Sequence, residues 1–207
     1  MKKTLAILTS LVMVFAASAA MAKTVEPEDT DLEHLAGKTV HATVGAYNED
    51  SKVFTVTVYE NDRFEDEEIA GLAAGDILLA GGRLYTVREM TKSPDGDVMA
   101  VMEDGSEIVF SKAGDDEMTA RSTDDDRQYM HAVSVVYLPA AEGIVFEDNS
   151  NPDLEQEMTV TEGLEGILKI KAEKEENSNG LDFYATTVTL NGNLEIVKIH
   201  QDFDVAQ

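Results

Sequence analysis

Apolar residues in this chain recur at every second position in short runs, a period that suits strands with one buried face. Val40, Ala42, Val44 and Ala46 alternate with Thr39, His41 and Thr43, and Phe54, Val56 and Val58 alternate with Thr55, Thr57 and Tyr59. Asn48-Glu49-Asp50-Ser51 is a polar turn between the two runs, so this stretch reads as a hairpin. Asp76 to Ala80, the pair Gly81-Gly82 and Arg83 to Met90 read as a second hairpin. Val98 to Met102 and Glu107 to Ser111 add strands around the turns Pro94 to Asp97 and Asp104-Gly105, and Met118 to Arg121 adds a short one.

Gln128 to Leu138 reads as a long strand with Tyr129, His131, Val133, Val135 and Tyr137 on one face, stopped by Pro139. Ile144 to Phe146 and Ile167 to Ile170 read as shorter strands. The strongest turn signal is Asn191-Gly192 between Phe183 to Leu190 and Asn193 to Ile199, a pair suited to a type I′ hairpin. One short helix is predicted from Glu65 to Ala74, with Glu65 to Glu68 at its positive end, Ile69 and Leu72 inward, and Gly75 closing it. Thr30 to Glu33 has capping-box spacing for one further helical turn ending at Gly37.

These elements predict a mainly β protein: an antiparallel sandwich, a small barrel-like unit, or both, with one or two short helices. Residues 1–22 read as a signal peptide, with Lys2 and Lys3, an apolar run from Leu5 to Ala17, and the small-residue cleavage site Ala20-Met21-Ala22. Residues 23–37 form an acidic leader, 38–61 with 128–207 a sandwich-like part, and 62–127 a small barrel-like unit. The alternative is one continuous β domain over 38–207. Export places the product in the periplasm or outside the cell. The apolar run is short for a membrane span, so no membrane insertion is expected after cleavage.

There is no cysteine, which excludes disulfides, thiolate metal sites and a lipid anchor at the cleavage point. Cleavage after Ala22 leaves 14 basic residues against 41 acidic ones, a net charge of −27. That charge disfavours nucleic acid and anionic membranes as partners, and it favours solubility.

No serine-hydrolase elbow, aspartic-protease triplet, zinc-protease helix or phosphate loop occurs. His34, His41, His131 and His200 lack metal-ligand spacing, and His41 and His131 read as satisfied or solvent-facing strand residues. Met90, Met99 and Met102 read as core filler and not as a copper site. Calcium is the one cofactor candidate: acid clusters run from Glu60 to Glu68, Asp115 to Asp126 and Glu147 to Glu157, and Asp124, Asp125 and Asp126 are the preferred ligands. The commoner reading of such clusters is solvated loop. Sugar binding is weakened by the lack of tryptophan, and most Tyr and Phe fall in core-like patterns.

The function expected is therefore an exported, non-enzymatic binding, adhesion or envelope-associated module, whose partner is an extracellular or envelope component. A hydrolase of extracellular polymer using a carboxylate pair, and a calcium-stabilised structural domain, are the alternatives.

Overall fold

Alternation of Thr and Val gives the first strands one wet and one dry face, and the fold is built by closing the dry faces inward. The computed structural model describes residues 19–21, 32–151, 158–176, 181–182 and 184–203. Its elements in chain order are β1 (Ala19–Met21), β2 (Thr39–Asn48), β3 (Val53–Asn61), β4 (Arg63–Glu65), α1 (Asp66–Gly71), β5 (Ile77–Ala80), β6 (Arg83–Lys92), β7 (Val98–Met102) and β8 (Glu107–Lys112). They continue with β9 (Glu117–Ser122), β10 (Met130–Asn149), β11 (Thr159–Glu162), α2 (Leu164–Glu176), β12 (Thr186–Leu190) and β13 (Ile196–Asp202). A turn of 3-10 helix, Leu32–Leu35, precedes β2.

The chain is mainly β, with antiparallel-rich sheets and two short α-helices. One sheet has the order β11-β10-β13-β12-β2-β3, and β10 also pairs with β3. The hydrogen-bonded ladder of β10, β13, β12, β2 and β3 therefore closes on itself as a ring. The other sheet has the order β1-β5-β6-β7-β8-β9-β4 and stays open. It is inserted between β3 and β10, so the chain leaves the ring at Asn61 and returns at Met130. β1 runs parallel to β5 and falls within the predicted signal peptide; a chain cut after Ala22 lacks it and presents β5 as an edge.

Each sheet has its own core. The ring encloses Phe54, Val56, Val58, Leu138, Ile144, Phe146, Val188, Leu190, Ile196 and Ile199, with Ile167 of α2 covering it. The open sheet buries Phe64, Ile69, Leu78, Val87, Met102, Ile108, Phe110 and Met118, with Phe64 edge-on to Phe110 at 5.2 Å between ring centroids. Ile69 places α1 against this second core, as its spacing with Leu72 predicts. Gly81 and Gly82 both take positive φ (+56° and +72°), the conformation a two-residue type I′ turn requires.

Three expectations are corrected. Pro139 does not stop a strand: β10 runs through it for 20 residues. The ladder to β3 ends at Pro139 opposite Val53, and pairing with β13 begins at Ala140, so the missing N–H falls where the strand changes neighbours. Residues 167–170 are helical, because Leu164, Ile167, Leu168 and Lys171 recur at the three- and four-residue spacing of α2. The last hairpin turns through five residues, Asn191 to Glu195, and Leu194, not Gly192, takes positive φ (+61°). Asn191 accounts for this: its Oδ1 accepts N–H bonds from Asn193 and Glu195, and its Nδ2 donates to Glu195 Oε2. Of the predicted signal peptide only 19–21, and of the predicted leader only 32–37, are among the described residues.

Candidate functional site

Closing the ring turns every second residue of its strands outward, and cross-strand register lines those residues up. Tyr59 of β3 stands opposite His41 of β2, His41 opposite Thr187 of β12, Thr187 opposite His200 of β13, and His200 opposite Glu147 of β10. This is one row running across five strands, with neighbours about 4.8 Å apart. Beside it, Thr39, Thr189 and Lys198 form a shorter row, and the Thr39 and Thr189 hydroxyls hydrogen-bond at 2.8 Å. Val135 and Tyr137 of β10, opposite Thr57 and Thr55, extend the face and are 58 % and 67 % exposed.

Charges on this face are compensated in place. Lys198 Nζ lies 3.1 Å and His200 Nδ1 3.0 Å from Glu147 Oε2, and His200 Nε2 lies 3.2 Å from Asp202 Oδ1. Asn149 Nδ2 also donates to Asp202 Oδ1. The Lys198 ammonium, with His200, holds the Glu147 carboxyl below its ordinary 4.5 against the opposing effect of burial. The result is a fixed array of donors and acceptors with an aromatic residue at one end.

On the inner side of β10, Asp148 Oδ1 accepts from the backbone N–H and the hydroxyl of Ser150, and Asp148 Oδ2 pairs with Lys174 of α2 at 3.0 Å. Burial pushes the Asp148 carboxyl up, but Ser150 and Lys174 outweigh it and leave it below its ordinary 3.8. This group fastens α2 to the ring. A cleft of about 320 Å³ opens between β2 and the same helix, lined by Ala46, Tyr47, Glu49, Leu168, Lys171 and Ala172. It presents one carboxylate, so it does not supply the pair a glycosidase needs.

The second polar centre lies where the chain leaves and re-enters the ring. Asp62, only 1 % exposed, accepts from the Gly81 N–H through Oδ2 (2.5 Å) and from His131 Nδ1 through Oδ1 (2.7 Å). The sequence reading of His131 as a satisfied or solvent-facing strand residue is met at Nδ1 only. Asp62 had no sequence signal, because nothing in Asn61-Asp62-Arg63 distinguishes a buried carboxylate from a solvated turn. His131 Nε2 is shut off from solvent and has no hydrogen-bond partner, so the imidazole is oriented like a catalytic base but closed to a substrate. Next to it, burial and then a hydrogen bond with Tyr85 push the Tyr129 phenol above its ordinary 10.0. Arg127 stacks over the Tyr184 ring at 4.8 Å.

Asp124, Asp125 and Asp126 sit in the loop after β9, and the fold does not gather their carboxylates. Asp126 is paired with Arg121, Asp125 lies 3.4 Å from Arg127 Nε, and the Asp124 backbone N–H bonds to the Ser122 hydroxyl. Among the described residues, no three His, Asp or Glu side chains are grouped to hold a metal ion. Among the same residues, no helix is long and apolar enough to cross a membrane. The row on the ring went unread in the sequence for a different reason. Thr39, His41, Thr57 and Tyr59 are visibly outward-facing, but which strands stand next to them depends on the long-range pairings of β2 with β12 and of β13 with β10. No protein-family model, curated protein or solved structure matches this chain.

Proposed function

We infer that this chain is an exported, non-enzymatic binding or adhesion module of the cell envelope or surroundings, and that it engages an uncharged, hydroxyl-rich polymer through the outer face of the ring. The observation that carries the reading is the row from Tyr59 to Glu147. Its hydroxyls can donate and accept, and the carboxylate adds an acceptor, at the spacing of neighbouring strands, a repeat close to the length of one sugar ring along a chain. Tyr59 and Tyr137 supply aromatic faces in a chain without tryptophan. The net charge of −25 on the full sequence disfavours polyanions, whereas a neutral glycan meets no such repulsion.

Recognition is favoured over catalysis because the ionisable groups of the face are already engaged. Glu147 is held by Lys198 and His200, and the second nitrogen of His200 faces Asp202. Neither nitrogen of His200 stands free to move a proton. The test is native affinity electrophoresis through gels containing soluble neutral polysaccharides such as hydroxyethyl cellulose, xylan and galactomannan. At least one polymer should retard the protein, and Tyr59→Ala with His41→Ala should weaken that binding about tenfold, roughly 1.4 kcal/mol. Migration unaffected by every polymer would reject the reading.

A further inference from the structure

We propose that Asp62 is a latch that holds the inserted sheet against the ring, and that the insert swings as a body about the two chain crossings when the latch is released. The first support is what the two units do not share. Among the described residues their hydrophobic cores have no residue in common, and no strand or helix of the ring packs extensively against one of the insert. Separate cores leave relative motion as the ordinary expectation for two covalently joined units.

The second support is the form of the connection. Both crossings lie side by side, tied by the Asp62 N–H bonded to the Tyr129 carbonyl at 2.9 Å. Two adjacent chain passages make a hinge axis. The Asp62 side chain, at that axis, bonds both bodies: His131 of the ring and the Gly81 turn of the insert. Arg127, on the returning crossing, also bridges the units by stacking over Tyr184.

Gly81 gives the latch a second handle. A Cβ placed there would lie 3.0 Å from Tyr129 Cδ1, whereas one at Gly82 would meet nothing within 4 Å. Both glycines have positive φ, so a side chain is conformationally strained at either position, but only the one at Gly81 crowds Tyr129, whose carbonyl holds the Asp62 N–H, and comes within 3.7 Å of the Met130 carbonyl oxygen where the ring resumes. Gly82→Ala is therefore the control for Gly81→Ala.

The absence of native cysteine allows two spin labels to be placed specifically in the full chain, at Lys52→Cys on the ring and Asp95→Cys on the insert, both exposed. Pulsed dipolar spectroscopy should give one narrow distance for the parent. Asp62→Ala and Gly81→Ala should each lose that narrow peak while keeping a cooperative melt, and Gly82→Ala should keep it. If Asp62→Ala does not fold, the Gly81→Ala and Gly82→Ala comparison decides alone. A narrow peak retained in Gly81→Ala, or lost equally in Gly82→Ala, would overturn the latch, as would a parent whose distribution is already as broad as that of the variants.

Discussion

The ring and the inserted sheet end their ladders differently. The ring closes through β10, whose first half pairs with β3 and whose second half pairs with β13. The insert stops at β4 on one side and at the β1–β5 pair on the other. Closure removes edges, and the row from Tyr59 to Glu147 lies along the ladder β3-β2-β12-β13-β10 that it completes. The open sheet gains no such face. Its core also relies on Met102, Met118 and the small residues Ala80, Ala100 and Ala120, where the ring uses branched aliphatics and phenylalanine. A regular outward row and adaptable packing thus fall to different units.

The largest expected effect tests whether the two cores are energetically separate. Phe110 and Phe146 are both almost fully buried, one in each core. Truncating either to alanine should cost about 3–5 kcal/mol. In calorimetry, Phe110→Ala should lower the transition of the insert and leave that of the ring, and Phe146→Ala should do the reverse. A common shift of both transitions would break the comparison.

Acid should also distinguish the units. Glu147 and Asp148 have folded values below their ordinary 4.5 and 3.8, so they contribute stability that is complete above those values. That contribution is lost as pH falls through the lower folded values. Both groups belong to the ring. In the insert, hydrogen bonds from Ser106 lower the Asp104 carboxyl, but that group is fully exposed and solvent screens its effect. Between about pH 5 and pH 2 the ring transition should therefore fall more steeply than the insert transition. A steeper fall for the insert would assign the acid-sensitive contacts to the wrong unit.

The smallest effect sharpens the account of the β2–β3 turn. Lys52 is exposed with φ of +58°, a conformation unfavourable for a side chain. Lys52→Gly should raise the ring transition by up to about 1 kcal/mol and leave the insert unchanged, as thermal melts would show.

The sequence disclosed strands wherever local chemistry decides them. Val56 and Val58 inward with Thr57 and Tyr59 outward, the Gly81-Gly82 turn and the helix carrying Ile69 were all legible. What escaped depends on distant partners. Pro139 looks like a strand terminator until β10 is seen to exchange β3 for β13 there. Ile167 to Ile170 is too short a window to separate a strand from a helix, and only Leu164 and Lys171 on either side reveal the longer period. Asn191 overrode the Asn-Gly preference with its own side-chain bonds. For the candidate site, the outward residues were legible strand by strand, but their alignment into a row was not. Asp62 was wholly hidden, since its burial is made by Gly81, Tyr129 and His131 from elsewhere in the chain.

Hydrogen exchange on the full-length Phe110→Ala variant tests the two-unit account most directly. Amides of β5 to β9 should lose protection together, while those of β2, β3, β10, β12 and β13 keep the protection of the parent protein. Equal loss of protection across the ring strands would contradict the account, because it would show one cooperative core where two are claimed.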